Sequence, residues 1–134
     1  MDAVTAQELS TKLIQFLETG DPPEDLFAPD VFCDFTSPSW RLQAQGRDAV
    51  VRLRRSGHPS SGRVPRHRVD PTPAGFVLEV EEQWRDRGQD WYCRELFRAD
   101  IQDGCITELS VYCTGDWDAA QRARHRREVK LLRP

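Results

Sequence analysis

The sequence predicts an α+β fold: a few amphipathic helices laid over a curved antiparallel sheet, with room for a pocket between the two layers. Three observations carry this reading. Leu9, Leu13, Phe16 and Leu17 recur at helical spacing near the N-terminus. From residue 64 to residue 114, long segments alternate apolar and polar residues with period two. Those segments are separated by short turns rich in Pro, Gly and Asp.

The elements follow in order. Thr5-Ala6-Gln7-Glu8 has the pattern of a capping box opening a helix over 5–19, which Gly20 closes. Pro22-Pro23-Glu24-Asp25-Leu26-Phe27 places prolines and acids where a second, short helix would begin. Strands are expected over 31–35 and 40–44, and a third helix over 47–55, with Ala49, Val50 and Leu53 apolar and the remaining surface rich in Arg. Longer strands follow over 64–70, 76–84, 91–101 and 105–114. Asp116 or its neighbour caps a last, charged helix over about 117–127. The expectation is three N-terminal helices, a strongly curved antiparallel sheet and a short C-terminal helix.

Length and composition bound the class. At 134 residues the chain is expected to be one domain, 1–134, large enough to bury a core without a metal or disulfide staple. No apolar run approaches 18 residues, so no membrane span is expected. Met1-Asp2-Ala3-Val4 lacks the basic start and apolar core of a secretory signal. The net charge of −3 argues against a dedicated nucleic-acid binder. The basic run Arg122-Ala123-Arg124-His125-Arg126-Arg127 suits a solvated helix end. Cys33, Cys93, Cys105 and Cys113 form no C-x-x-C pair, and read as free thiols in a reducing cytoplasm. No P-loop, G-x-G-x-x-G, G-x-S-x-G, H-E-x-x-H or clustered metal-ligand set is present. No cofactor or metal is expected.

Strand parity selects the inner face. Phe76, Leu78, Val80, Glu82 and Trp84 share one face of their strand, and Trp91, Cys93, Glu95, Phe97 and Ala99 share one face of the next. Each apolar face contains one misfit, Glu82 and Glu95. His67 shares a face with Val69 and is expected to point inward, whereas Asp34 is expected to face out. For the last hairpin, a three-residue loop over 102–104 is favoured over a two-residue Asp-Gly loop. It pairs Phe97 with Leu109, Glu95 with Val111, Cys93 with Cys113, Arg98 with Glu108 and Arg94 with Tyr112. That arrangement leaves Tyr112 and a ladder of arginines on an outer face, solvated or dimeric.

Glu82, Glu95 and His67 are therefore the candidate catalytic residues. If the strands pair near Glu82 and Cys93, the carboxylates are diagonal neighbours roughly 7–8 Å apart. Two carboxylates in an apolar wall cannot both ionise cheaply, so one should keep its proton near neutral pH and serve as acid or base. Trp40, Trp84, Trp91, Phe97 and Val111 are expected to line the pocket. The alternative is purely structural: inward polar groups that bond one another or a helix end.

The order of elements resembles the SnoaL-like branch of the NTF2-like, ketosteroid isomerase-like superfamily. The resemblance rests on the helix over 5–19, the segment Pro23-Glu24-Asp25-Leu26-Phe27-Ala28-Pro29-Asp30-Val31, Gly46-Arg47-Asp48-Ala49-Val50 and Asp103-Gly104-Cys105-Ile106, and covers about residues 5–118. It implies a cone-shaped fold, usually homodimeric, with a pocket between sheet and helices. It also implies either cofactor-free chemistry, such as cyclisation, isomerisation or dehydration, or ligand binding alone. Some relatives hydrolyse epoxides with an Asp-Arg-Asp set. The matching last-strand position here is Val111, so the resemblance does not extend to that activity. The expected ligand is a small hydrophobic metabolite, and the expected partner is a second copy meeting through the outer sheet face.

Overall fold

The computed structural model describes residues 1–134. The elements are α1 (Ala3–Thr19), β1 (Phe27–Ser37), β2 (Trp40–Gln45), α2 (Arg47–Gly57), β3 (Gly62–Pro71), β4 (Gly75–Asp86), β5 (Gln89–Gln102), β6 (Cys105–Cys113) and α3 (Ala119–Glu128). All six strands form one sheet in the order β2-β1-β6-β5-β4-β3. It is mixed rather than fully antiparallel, because β1 runs parallel to β6. The intervening strands are antiparallel hairpins, and the chain reaches the β1 position before the hairpin series begins. No helix is long and apolar enough to cross a membrane.

The first helix begins earlier than a capping box at Thr5 would place it. Asp2 is the N-cap, its Oδ1 accepting from the Thr5 N–H at 2.8 Å. Ala6, Leu9, Leu13, Phe16 and Leu17 form the buried stripe. Gly20, at φ 77°, ends the helix in the left-handed conformation, and its N–H donates to the Phe16 carbonyl at 2.8 Å.

The segment after Gly20 is not a helix. Residues 24–26 form a turn, with the Leu26 N–H donating to the Pro23 carbonyl at 3.1 Å, and β1 starts at Phe27. Six residues are too few to repay helix nucleation, while Phe27 gains a β partner in Ile106 and complete burial. The molecule thus has three helices: α1 and α2 on the sheet, and α3 near the C-terminus.

The β5–β6 hairpin departs from both registers considered above. Asp103 (φ 51°) and Gly104 (φ 79°) make a two-residue turn with both central residues left-handed, so Gln102 opposes Cys105 and Ile101 opposes Ile106. One extra residue, Thr107, then bulges, its hydroxyl donating to the Asp100 carbonyl at 3.2 Å. Beyond the bulge Ala99 opposes Leu109, Phe97 opposes Val111 and Glu95 opposes Cys113. The pairing is two residues away from the expected one. An even displacement leaves every side chain on its expected face: Phe97 and Glu95 inside, Tyr112 and Arg98 outside.

The core lies between the concave sheet face and the two helices that cover it. It joins the α1 stripe to Val31 and Cys33 of β1, Val50 of α2, and Phe76, Leu78, Phe97, Ala99, Leu109 and Val111 of the central strands. Phe16 and Phe27 meet edge-to-face at 5.3 Å between centroids. All four cysteines are free.

Candidate functional site

The β4–β5 register places Glu82 opposite Cys93 and Val80 opposite Glu95, so the two carboxylates are diagonal neighbours on the concave face. Both are 3% exposed, in a wall otherwise made of apolar side chains. What holds them is a residue that the sequence reading left within the Arg-rich remainder of its helix. Arg54 comes from the last turns of α2 and lays its guanidinium between the two acids. One Nη donates to Glu82 Oε1 at 2.5 Å and to the Leu17 carbonyl at 2.8 Å. The other donates to Glu95 Oε1 at 3.1 Å. One cation thus serves two carboxylates and also caps the C-terminal end of α1.

Two carboxylates sharing one guanidinium do not ionise alike. Burial opposes the charge on Glu82, but Arg54 and the hydrogen bond with Glu95 overcome it and draw the Glu82 pKa down to about 2. Glu95 moves the other way: burial, followed by the charge of Glu82, raises its pKa well above the usual carboxylate range. The two acids are thus driven apart, Glu82 toward its ionised form and Glu95 toward its protonated form. Burial also opposes the charge of Arg54, but the two acids outweigh it and keep the guanidinium ionised.

Glu95 is the member of the pair that faces a cavity. A space of about 440 Å³ opens between sheet and helices, walled by apolar residues such as Leu13, Phe16, Phe35, Phe97 and Val111. Its polar groups cluster at one end: Arg54, His58, Glu95, Cys113 and Asp116. His58 follows α2 directly and packs edge-on against Trp84 at 4.7 Å. Burial and the nearby charge of Arg54 lower its pKa to about 4, so the imidazole is neutral near pH 7. Burial, with Glu82 adding, raises the Asp116 pKa. Cys93 donates to Glu82 Oε2 at 3.3 Å and sits against the Cys113 thiol.

Several of these groups are also metal-ligand types. Donor atoms of His58, Cys93 and Asp116 lie within 4.8 Å of one another, as do those of Cys93, Glu95 and Cys113. The Arg54 guanidinium already occupies the position of positive charge among these acids, and a second cation would have to be held against it.

The expected site residues therefore divide. Glu82 and Glu95 come together, and Phe97 and Val111 line the cavity. His67 does not join them. It lies opposite Val80, on the concave side by register, but β3 is the sheet edge and the imidazole is exposed without a hydrogen-bond partner. Trp40, on the opposite edge strand, is 67% exposed. Trp84 and Trp91 face each other where the β4–β5 hairpin runs past the cavity. Trp84 packs on His58 from outside it, and Trp91 donates its indole N–H to the Asp86 carbonyl at 3.2 Å. Asp34 faces out, as expected, and pairs with Arg41 across β1 and β2. Arg54 was findable. It lies four residues after Val50 and one after Leu53, on the apolar stripe of its helix. His58 and Asp116 lie in connecting segments, where no periodicity marks an inward residue.

No known protein-family pattern matches this sequence, and no curated protein matches it. Solved structures do. An NTF2-like protein from Anabaena variabilis is 16% identical, with a TM-score of 0.70 over 84% of this chain and 89% of that one. A candidate isomerase from Bacillus subtilis is 13% identical, with a TM-score of 0.66 over 85% of this chain and 90% of that one. A candidate polyketide cyclase from Xanthomonas campestris is 19% identical, with a TM-score of 0.62 over 81% of this chain and 90% of that one. The chain has the NTF2-like fold, shared by proteins described as ketosteroid isomerase-like and polyketide cyclase-like.

Proposed function

We propose that the chain is a cofactor-independent enzyme that moves a proton next to a carbonyl group in a small, largely apolar metabolite. The outcome would be cyclisation, isomerisation or dehydration. One observation carries the reading: Glu95 lines an apolar cavity and is bonded, together with Glu82, to the single guanidinium of Arg54, an arrangement that pushes its pKa up. A protonated carboxyl in an apolar wall donates a hydrogen bond to a substrate oxygen and stabilises negative charge developing there. The neutral imidazole of His58, on the same cavity, is the group suited to accept the carbon-bound proton. Glu82 stays ionised, and with Arg54 it holds the Glu95 proton in place. His67 has no part in this scheme. Similarity to a candidate isomerase and a candidate polyketide cyclase supports the class of chemistry and names no substrate.

The test follows solvent exchange at carbon. A panel of small cyclic ketones is incubated in D₂O with the protein, and NMR reads deuterium entering the positions next to the carbonyl. Catalysed exchange with at least one member is expected, falling about 10²-fold or more in Glu95→Gln and also in His58→Ala. Undiminished exchange in Glu95→Gln would remove the proposed acid.

A second reading is a non-catalytic ligand-binding or dimeric interaction module. It draws on the completeness of the Arg54 network, since no buried side-chain nitrogen or oxygen is left without a partner. On that reading the triad only anchors α2 to the sheet. A homodimer through the outer sheet face would use Leu96 and Tyr112, which oppose each other across β5 and β6 at 39% and 58% exposure.

A further inference from the structure

The sheet has a second concavity, on the face opposite the carboxylate pair. A space of about 520 Å³ lies between the outer surface of β3–β5 and α3 with the residues that follow it. Six of its lining residues are Arg66, Arg94, Arg122, His125, Arg126 and Arg133. They arrive from three directions: Arg66 on β3, Arg94 on β5, and the rest on α3 and the C-terminal residues. On α3 the i, i+3, i+4 stripe Arg122–His125–Arg126 faces the groove, while Arg124 is engaged elsewhere with Glu128.

The distribution of charge makes this unusual. Residues 117–134 hold six basic side chains against two acidic ones, whereas residues 1–116 hold 13 against 20. The groove neutralises only part of the excess. Arg94 pairs with Glu79. The one acidic side chain lining the groove, Glu81, accepts from the Tyr92 hydroxyl at 2.8 Å, and the terminal residue Pro134 also lies in the lining. Arg66, Arg126 and Arg133 make no ion pair or hydrogen bond through their side chains, and Arg122 lies over the Tyr92 ring at 4.5 Å. Like charges brought together on an otherwise acidic chain repel, and a bound anion relieves that cost.

The groove is also fixed in place. Trp117 and Tyr92 exchange two backbone hydrogen bonds, at 2.7 and 3.0 Å, and their rings lie 5.5 Å apart. The Trp117 ring is 5.3 Å from that of His125. These contacts tether the start of α3, a helix that buries none of its own residues. Its attachment therefore places guanidinium groups over the sheet and adds little to the core.

We propose that this groove binds a small ligand bearing a pyrophosphoryl group. Guanidinium groups donate in a planar fork that matches phosphoryl oxygens. Several forks converging from three elements suit an anion with oxygens on more than one centre, and the groove is too small for a folded partner. Free pyrophosphate and a nucleoside diphosphate share this chemistry. The site does not depend on the acid/base role of Glu95.

The experiment is calorimetric titration of the full chain with inorganic pyrophosphate, and separately with ADP, at physiological salt. Saturable 1:1 binding of pyrophosphate is expected. Arg126→Gln and Arg66→Gln should each weaken it about tenfold. Arg127→Gln, on the same helix but outside the groove, should leave it unchanged. Tighter binding of ADP would identify a nucleotide as the ligand, and equal affinity would identify the pyrophosphoryl group alone. Unaltered circular dichroism in each variant keeps the comparison valid, because all three side chains are exposed. Absence of saturable binding would overturn the proposal. So would equal weakening by Arg127→Gln, or binding of single-stranded DNA with the same insensitivity to position, since either would indicate diffuse attraction to polyanions.

Discussion

Glu82 and Glu95 stand diagonally across β4 and β5, and a single guanidinium, that of Arg54, hydrogen-bonds to both at 2.5 and 3.1 Å. Three ionisable groups are thereby held in a wall of otherwise apolar side chains. Their protonation is decided by one another more than by solvent.

Removal of Arg54 tests the cost of that arrangement. Arg54→Met should lower stability by about 3–5 kcal/mol, because Glu82 is left buried and ionised without a partner. Adding Glu82→Gln to Arg54→Met should restore a large part of the loss, since the unpaired charge is gone. Arg52→Met, an exposed change two residues away, should stay within about 0.5 kcal/mol. Urea unfolding midpoints of the four proteins provide the comparison.

Stability should vary with pH in a pattern to which Glu82, His58 and Glu95 contribute most directly. Glu82, lowered from 4.5 to about 2, binds more protons unfolded than folded in that interval, so its contribution grows as pH rises from about 2 to 4.5. His58, lowered from 6.5 to about 4, makes stability rise with pH between those values. Glu95, raised above 4.5, is protonated when folded and ionised when unfolded, so its contribution falls as pH rises beyond 4.5. Between 4.5 and 6.5 the His58 and Glu95 effects oppose and the curve should be nearly flat. Above 6.5 the His58 gain is complete, and the Glu95 loss continues for as long as Glu95 stays protonated in the folded chain. Glu95→Gln should abolish that decline. Urea unfolding at a series of pH values checks both curves.

Gly75 at the start of β4 is fixed by sterics. A Cβ built there lies 1.9 Å from the Ala99 carbonyl oxygen, which is backbone and cannot turn aside. Gly75→Ala should cost ~3 kcal/mol or more and disturb the β4–β5 pairing that positions Glu82. Gly57→Ala, with nothing within 4 Å, should change stability by no more than about 0.5 kcal/mol. Thermal unfolding of the two variants separates these outcomes.

The start of α1 offers a milder test. Asp2→Ala should lower the unfolding midpoint, because its carboxylate accepts from the Thr5 N–H. Thr5→Val should cost less, since Thr5 contributes only a hydroxyl bond to Asp2 at 3.0 Å. Chemical denaturation of both ranks the two residues as caps.

Much of this architecture was legible in the residues, for a physical reason. Period-two alternation identifies the inner face of a strand, so Glu82 and Glu95 could be placed on the concave wall without coordinates. That inference survived a wrong hairpin register, because the shorter turn and the Thr107 bulge each displace the pairing by one, two in all. What parity cannot supply is position within the sheet. His67 and Trp40 occupy inward parity on edge strands, where a curved sheet leaves its inner face open to water. The apparent helix at Pro22–Phe27 gave way to long-range pairing of Phe27 with Ile106, a partner 79 residues away. Arg54 was hidden by its chemistry. Its spacing places it on the buried stripe of α2, but an arginine there has meaning only once two carboxylates are known to lie beneath it.

The central claim is that Glu95 keeps its proton at the polar end of the cavity while Glu82 is ionised. Carbon-13 NMR of the glutamate side-chain carboxyl groups, titrated from pH 3 to pH 8 in the wild type and in Glu95→Gln, tests it directly. One carboxyl should titrate well above all the others in the wild type, and its resonance should vanish in Glu95→Gln. If every glutamate instead completes its titration near the ordinary value, or the protonated resonance persists in Glu95→Gln, the shared-proton account of the site is wrong.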